Sequence, residues 1–184
     1  MSKTISSFFA LLVAIPLLAQ VGDPFPAMET ESLTNKIVNI PGDLSDKYTL
    51  VGLAYTKASE DDLKTWFEPI YNQFIHKPEK PSVFNFSYDI HCYFIPMFTG
   101  AKRPAYQKVM KKLQKTIDKR LLPYVMFYKG PIKEYKKSLN FKGRDLPYFF
   151  VLDPEGKIVY ATSGKYSNSK MQEVIEAVDS ALEF

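Results

Sequence analysis

Only one cysteine, Cys92, occurs in 184 residues. No intramolecular disulfide can form, so packing alone must hold the fold, and no pair of thiols is available for exchange. Histidine is nearly as scarce, with His76 and His91 the only two. That thins the field for acid–base catalysis and for zinc, and no spaced carboxylate loop takes their place. Glu60, Asp61 and Asp62, even taken with Asp89 and His91, read as complements to a helix dipole rather than as metal ligands. No metal or cofactor is expected. The eight glycines form no phosphate-cradling loop, and no Ser-His-Asp order stands out. Charge of neither sign dominates: 24 Lys and Arg against 20 Asp and Glu leave +4, which argues for no nucleic-acid partner.

The chain also lacks arginine before Arg103 and any apolar run long enough to span a bilayer. The first absence argues against a mitochondrial transit peptide, and the second against a transmembrane segment in the mature chain. Lys3 followed by the apolar stretch Phe8 to Leu18 instead reads as an export signal. Residues 1–19 are expected to be removed after Ala19, leaving a periplasmic or secreted chain that starts near Gln20.

What is present is a globular composition, 46% hydrophobic and 15% aromatic, sufficient for one domain over residues 20–184. Ala27 to Leu33 and Lys36 to Ile40 predict a hairpin turning at Thr34-Asn35. Thr49 to Tyr55 (TLVGLAY) predicts a buried central strand. Leu63, Trp66, Phe67, Ile70, Tyr71, Phe74 and Ile75 recur at helical spacing over Ser59 to His76, with Ser59 as the cap and a kink expected at Pro69. Val83 to Phe94 alternates as a strand does, with Cys92 on the apolar side. If Tyr93 to Phe98 leaves the sheet as a loop, its apolar side chains either pack over the core or form a contact surface.

Pro104 opens a second helix to about Arg120, carrying Lys108, Lys111, Lys112, Lys115, Lys119 and Arg120. That basic run reads mainly as a solvated face, with an acidic partner or anionic lipid as the functional reading. Pro123 to Tyr128 predicts a further strand and Ile132 to Leu139 a short helix. Pro147 to Asp153 and Lys157 to Thr162 make a hairpin around Pro154-Glu155-Gly156, and Ser169 caps a final helix. Alternating strands and helices closed by a hairpin and a helix indicate an α/β fold: a mixed central sheet with helices on both faces and an N-terminal β-hairpin.

The stretch LPYFFVLDPEGKIVYATSG resembles the closing hairpin of the thioredoxin-like superfamily, particularly its peroxiredoxin and TlpA-type branches, and TLVGLAY resembles the strand before the active site. Trp66-Phe67-Glu68-Pro69 is similar to a Trp-x-x-Pro in the thioredoxin-like assembly factors of mitochondrial ATP synthase, which also lack the cysteines. The resemblance implies a thioredoxin-like fold with Pro147 as a cis-proline before the closing hairpin. Counting back from Pro69, it places Asp61 and Lys64 where the family carries its two cysteines. It also implies a peptide-binding groove bordered by Tyr55, Thr56, Lys57, Ser59, Leu146 and Pro147, with strand addition as the mode.

Without a thiolate at the helix start, neither disulfide exchange nor peroxidase chemistry can run there. The expectation is a redox-inactive cell-envelope protein with a binding, scaffold or assembly role and a protein or peptide partner. The alternative is a one-cysteine peroxidase or thiol oxidoreductase using Cys92, although a strand points the adjacent His91 to the opposite side.

Overall fold

Every residue of Thr49–Ala54 is buried, and a strand covered on both faces is the structure that suits such a run. In a computed structural model of the chain, which describes residues 21–76 and 88–182, this run is the third strand of a seven-stranded mixed sheet. The strands are β1 (Met28–Ser32), β2 (Ile37–Ile40), β3 (Thr49–Ala54), β4 (His91–Phe98), β5 (Met126–Lys129), β6 (Tyr148–Leu152) and β7 (Ile158–Ser163). Their spatial order is β2-β1-β5-β4-β3-β6-β7. The central strands β5, β4 and β3 run parallel. The antiparallel hairpins β1–β2 and β6–β7 extend the sheet at its two edges. The helices are α1 (Lys57–Lys64), α2 (Phe67–Ile70), α3 (Tyr106–Thr116), α4 (Lys133–Ser138) and α5 (Asn168–Leu182). None of the described helices is long and apolar enough to cross a membrane.

The two-residue period of the strands divides the core between the two faces of the sheet. Leu50, Cys92, Phe94, Phe127, Phe149 and Val151 meet Leu63, Trp66, Ile70, Met110, Val174 and Val178 from the helices on one side. Val51, Leu53, Ile95, Met97, Phe150 and Leu152 meet Phe25, Tyr135 and Leu139 on the other. Where α1 crosses β3, a Cβ on Gly52 would lie 2.5 Å from Phe149 Cε1 and 3.0 Å from Leu63 Cδ1. The close approach of helix to sheet therefore depends on glycine there.

Several sequence expectations are displaced. The strand expected from Val83 begins only at His91, and residues 83–87, like the expected signal at 1–19, lie outside the described residues. Tyr93 to Phe98 does not leave the sheet as a loop: it is most of β4, with Ile95 and Met97 fully buried. Pro96 is tolerated there because its ring nitrogen faces β5, where the pairing lapses between the Phe94–Val125 bridge and Met97–Tyr128.

The helix expected from Ser59 starts two residues earlier, at Lys57. It breaks at Thr65–Trp66, where a Pro69 ring would meet the carbonyl four residues back. Beyond α2 the chain continues as a π turn over Tyr71–Ile75. The second helix is shorter than expected: Gly100–Ala105 and Lys119–Tyr124 are 3-10 turns flanking α3. The final helix is held at its start by Ser167, not Ser169, since the Ser167 hydroxyl accepts from Lys170 N at 3.3 Å.

Pro147 requires a correction. The peptide bond before it is trans, and the cis bond among the described residues is Ile40–Pro41. Trans is the intrinsic preference of an X–Pro bond, and the segment before Pro147 closes on itself in that geometry. Gly143 N donates to the Tyr148 hydroxyl at 2.6 Å, that hydroxyl donates back to Gly143 O at 2.8 Å, and Gly164 N donates to Pro147 O at 2.9 Å.

Candidate functional site

In open α/β sheets, ligands gather beyond the carboxyl ends of the parallel strands. Here those ends are Tyr55–Lys57 after β3, Thr99–Lys102 after β4 and the turn into α4 after β5. The first of them is a closed junction. Thr56 is the N-cap of α1, and its Oγ1 accepts from Ser59 N at 3.1 Å. The Ser59 hydroxyl, fully buried, accepts from Thr56 N at 2.9 Å and Tyr55 N at 3.1 Å and can donate to Thr56 O at 3.1 Å. This reciprocal box satisfies the amides that a strand-to-helix turn leaves open. Ser59 is thus the inner partner of the cap rather than the cap itself.

Asp61 and Lys64 lie further along α1, about half exposed. The Lys57 and Lys64 ammonium groups sit 2.6 and 2.8 Å from Asp61 Oδ1. The hydrogen bond from Lys57, then that from Lys64, holds the Asp61 carboxyl down to about 2. Counting back from Pro69 selects these residues, whereas the end of β3 puts the strand–helix junction at Thr56–Ser59.

Above the junction is an open pocket of about 560 Å³, lined by Tyr55, Thr56, Lys57, Thr99, Ala101, Lys102, Ile132, Lys136 and Arg144. Four cations from four separate segments converge on it. Lys102 is paired with Glu60 at 2.7 Å, and the Lys136 ammonium lies 4.9 Å over the Tyr55 ring. Tyr55 stacks on Phe141, which stacks in turn on Tyr148, so its ring is a fixed wall. The pocket therefore brings together Tyr55, Thr56 and Lys57 of the expected groove. Ser59 lies beneath it, while Leu146, 38% exposed, and buried Pro147 do not line it. Sequence reading missed Lys102, Lys136 and Arg144, and no local spacing links them. Only the strand order does: Lys102 and Lys136 follow β4 and β5, and Arg144 precedes β6, which runs antiparallel to β3.

Cys92 is remote from this pocket, on β4 with 3% of its surface exposed. Burial pushes its thiol well above the usual value, which disfavours the reactive thiolate. His91 does not assist it, since its Nε2 lies 2.9 Å from Asp46 Oδ1. Among the described residues no group of three or more His, Cys, Asp or Glu side chains gathers as a metal site. Native Cys92 is expected to react with a thiol reagent on the order of a hundredfold or more slowly than in urea. Equal rates in both states would show that the site opens.

The parallel centre, the two flanking hairpins and the strand–helix junction define a thioredoxin-like protein. The family model described as ATP10 protein matches residues 22–180, and the chain belongs to that family, the thioredoxin-like ATP synthase assembly factors. A comparison with curated proteins finds no match. Among solved structures, an uncharacterized conserved protein from Geobacillus kaustophilus is similar with a TM-score of 0.57 and 14% identity, over 89% of this chain and 82% of that one. BsSco, a member of the Sco family of cytochrome c oxidase assembly proteins, gives 0.56 and 14%, over 88% and 97%. A thiol:disulfide interchange protein from Bacteroides sp. gives 0.50 and 20%, over 89% and 93%. At such identities these likenesses speak for the fold alone.

Proposed function

We propose that this protein is an assembly factor for the ATP synthase that works by binding and not by thiol chemistry. The observation that carries the reading is the Thr56–Ser59 box. Two hydroxyl side chains complete the strand–helix junction and satisfy its amides, while the single thiol is sealed in the core. The cationic pocket above the junction is the docking site in this reading. Its four positive side chains and the fixed Tyr55 wall suit an extended segment of a synthase subunit bearing carboxylates. The apolar stretch Phe8 to Leu18 after Lys3 supports an exported, periplasmic or secreted protein in this reading. The alternative of a peroxidase using Cys92 is disfavoured by that residue's burial.

Deleting the gene in its native host is expected to lower the amount of assembled ATP synthase on native gels. Wild type and Cys92→Ser should restore it. Lys136→Glu combined with Arg144→Glu reverses two pocket charges on exposed side chains, and should weaken partner capture about tenfold or more without unfolding the protein. Reduction of insulin disulfides or turnover of peroxide by the purified protein would refute the thiol-free reading. Full rescue by the charge-reversed variant would refute the docking site.

A further inference from the structure

A second cavity, of about 310 Å³, opens between α1 and α3 on the helical face of the sheet. Its floor is Leu63, Phe98, Val125 and Phe127, which are only 1%, 4%, 2% and 1% exposed. Val109 and Leu113 on α3, with Ile117 at its C-cap, form one wall and Phe67 the other. Protein interiors pack like organic crystals, with few voids larger than a water molecule, and this space is far larger. Water needs two to four polar partners to settle in a cavity, and the floor offers none. The space therefore suits an apolar occupant.

The mouth is charged. Lys57, Glu60 and Lys64 on α1 face Lys112 on α3 across it. Lys57 and Lys64 share the single carboxylate of Asp61, and Glu60 is already engaged by Lys102. Lys112 has no ion-pair partner among the described residues. The rim is therefore cationic above an apolar shaft. An apolar tail suits the buried floor and an anionic head suits the lysine rim.

We propose that the cleft between α1 and α3 binds a single-chain anionic amphiphile of the fatty-acid class, with its tail against Leu63, Phe98 and Leu113 and its carboxylate at Lys112 and Lys64. The cleft shares Lys57 with the partner pocket, but its apolar floor and Lys112 are its own, so the two proposals fail separately.

The test titrates decanoate, below its micellar concentration, into the purified protein by calorimetry and by methyl NMR. Saturable one-to-one binding is expected, with methyl shifts centred on Leu63, Val109, Leu113 and Ile117. Decanoate should bind at least about tenfold more tightly than decyltrimethylammonium, and Lys112→Glu should abolish that preference. Val109→Trp, which fills the shaft, should remove binding while the protein keeps its circular dichroism. Should that variant unfold, the methyl map of the wild type decides the matter alone. No saturation at millimolar decanoate would overturn the proposal, as would shifts centred elsewhere. An acidic amphipathic peptide that shifts these methyls where decanoate does not would assign the cleft to a protein partner and also overturn it.

Discussion

Replacing Trp66 with alanine is expected to destabilise the protein by about 3–5 kcal/mol, the range for emptying a large aromatic site in a packed core. Trp66 is completely buried and stands at the break between α1 and α2. Its ring lies 4.3 Å from that of Phe149 on β6 and meets the edge of Tyr166 at 5.5 Å. Its Nε1 donates to Gly164 O at 3.0 Å, so truncation also strands a buried carbonyl. The neighbouring Thr65 hydroxyl accepts from Tyr166 N at 3.1 Å. The helix break and the corner between β7 and α5 are therefore joined through one pair of residues. The cavity has little means of closing, because Phe149 is held against Gly52 on its other side. Trp66→Phe keeps most of the packing but not the donor, and should cost about 1–3 kcal/mol. Urea unfolding followed by circular dichroism measures both, and a loss below about 1 kcal/mol for the alanine variant would contradict this account.

The same region shows how much was legible in advance. The apolar spacing from Leu63 to Phe74 is a local signal, and it correctly gave the buried face of the helix. The position of the break was not local. Pro69 announces a disturbance, but the disturbance appears one turn earlier, at the carbonyl its ring would strike. The cap was ambiguous for a related reason. Thr56 and Ser59 both suit a helix start, and only the end of β3 at Ala54 decides between them.

The closing hairpin was readable because Asp153, Gly156 and Gly164 are turn chemistry in sequence, and Gly156 and Gly164 do adopt positive φ. The trans bond before Pro147 was not, since the expectation of cis came from the resemblance and not from the residues around it. Of the candidate site, Tyr55, Thr56 and Lys57 were reachable because they follow a recognisable strand. Lys102, Lys136 and Arg144 belong to three further segments, brought together by strand order alone. The cleft between α1 and α3 was invisible for another reason. Periodicity tells which side of a helix is apolar, not how completely the space beneath it is filled.

Alkaline solution is expected to unfold this protein unusually early, because its tyrosines are placed to resist ionisation. Burial first, then the Glu31 carboxylate, raises the Tyr106 hydroxyl, which donates to Glu31 Oε2 at 2.5 Å. Tyr160 is raised by burial and by Glu173, and Tyr135 mainly by burial, with its hydroxyl donating to Ala27 O at 2.8 Å. Tyr88 is raised in the same way beside Asp179. In the unfolded chain a tyrosine ionises near pH 10 and a cysteine near 8.5.

Above those values the unfolded state has released protons that the folded state still holds, so it binds fewer of them and stability falls as pH rises. The contribution is intact below about pH 8.5, begins to fall there through Cys92, whose thiol is also raised by burial, and falls steeply above about pH 10 as the tyrosines join. Lys57, raised by its hydrogen bond to Asp61, adds a small effect of the same sign. The urea midpoint is expected to be roughly halved between pH 8 and pH 11. Tyr106→Phe, which cannot ionise, should lower the midpoint at pH 8 through the lost bond to Glu31 but flatten its decline above pH 10. A midpoint that stays level from pH 9 to 11, or a Tyr106→Phe slope as steep as the wild type's, would show that these hydroxyls are not what the folded state protects.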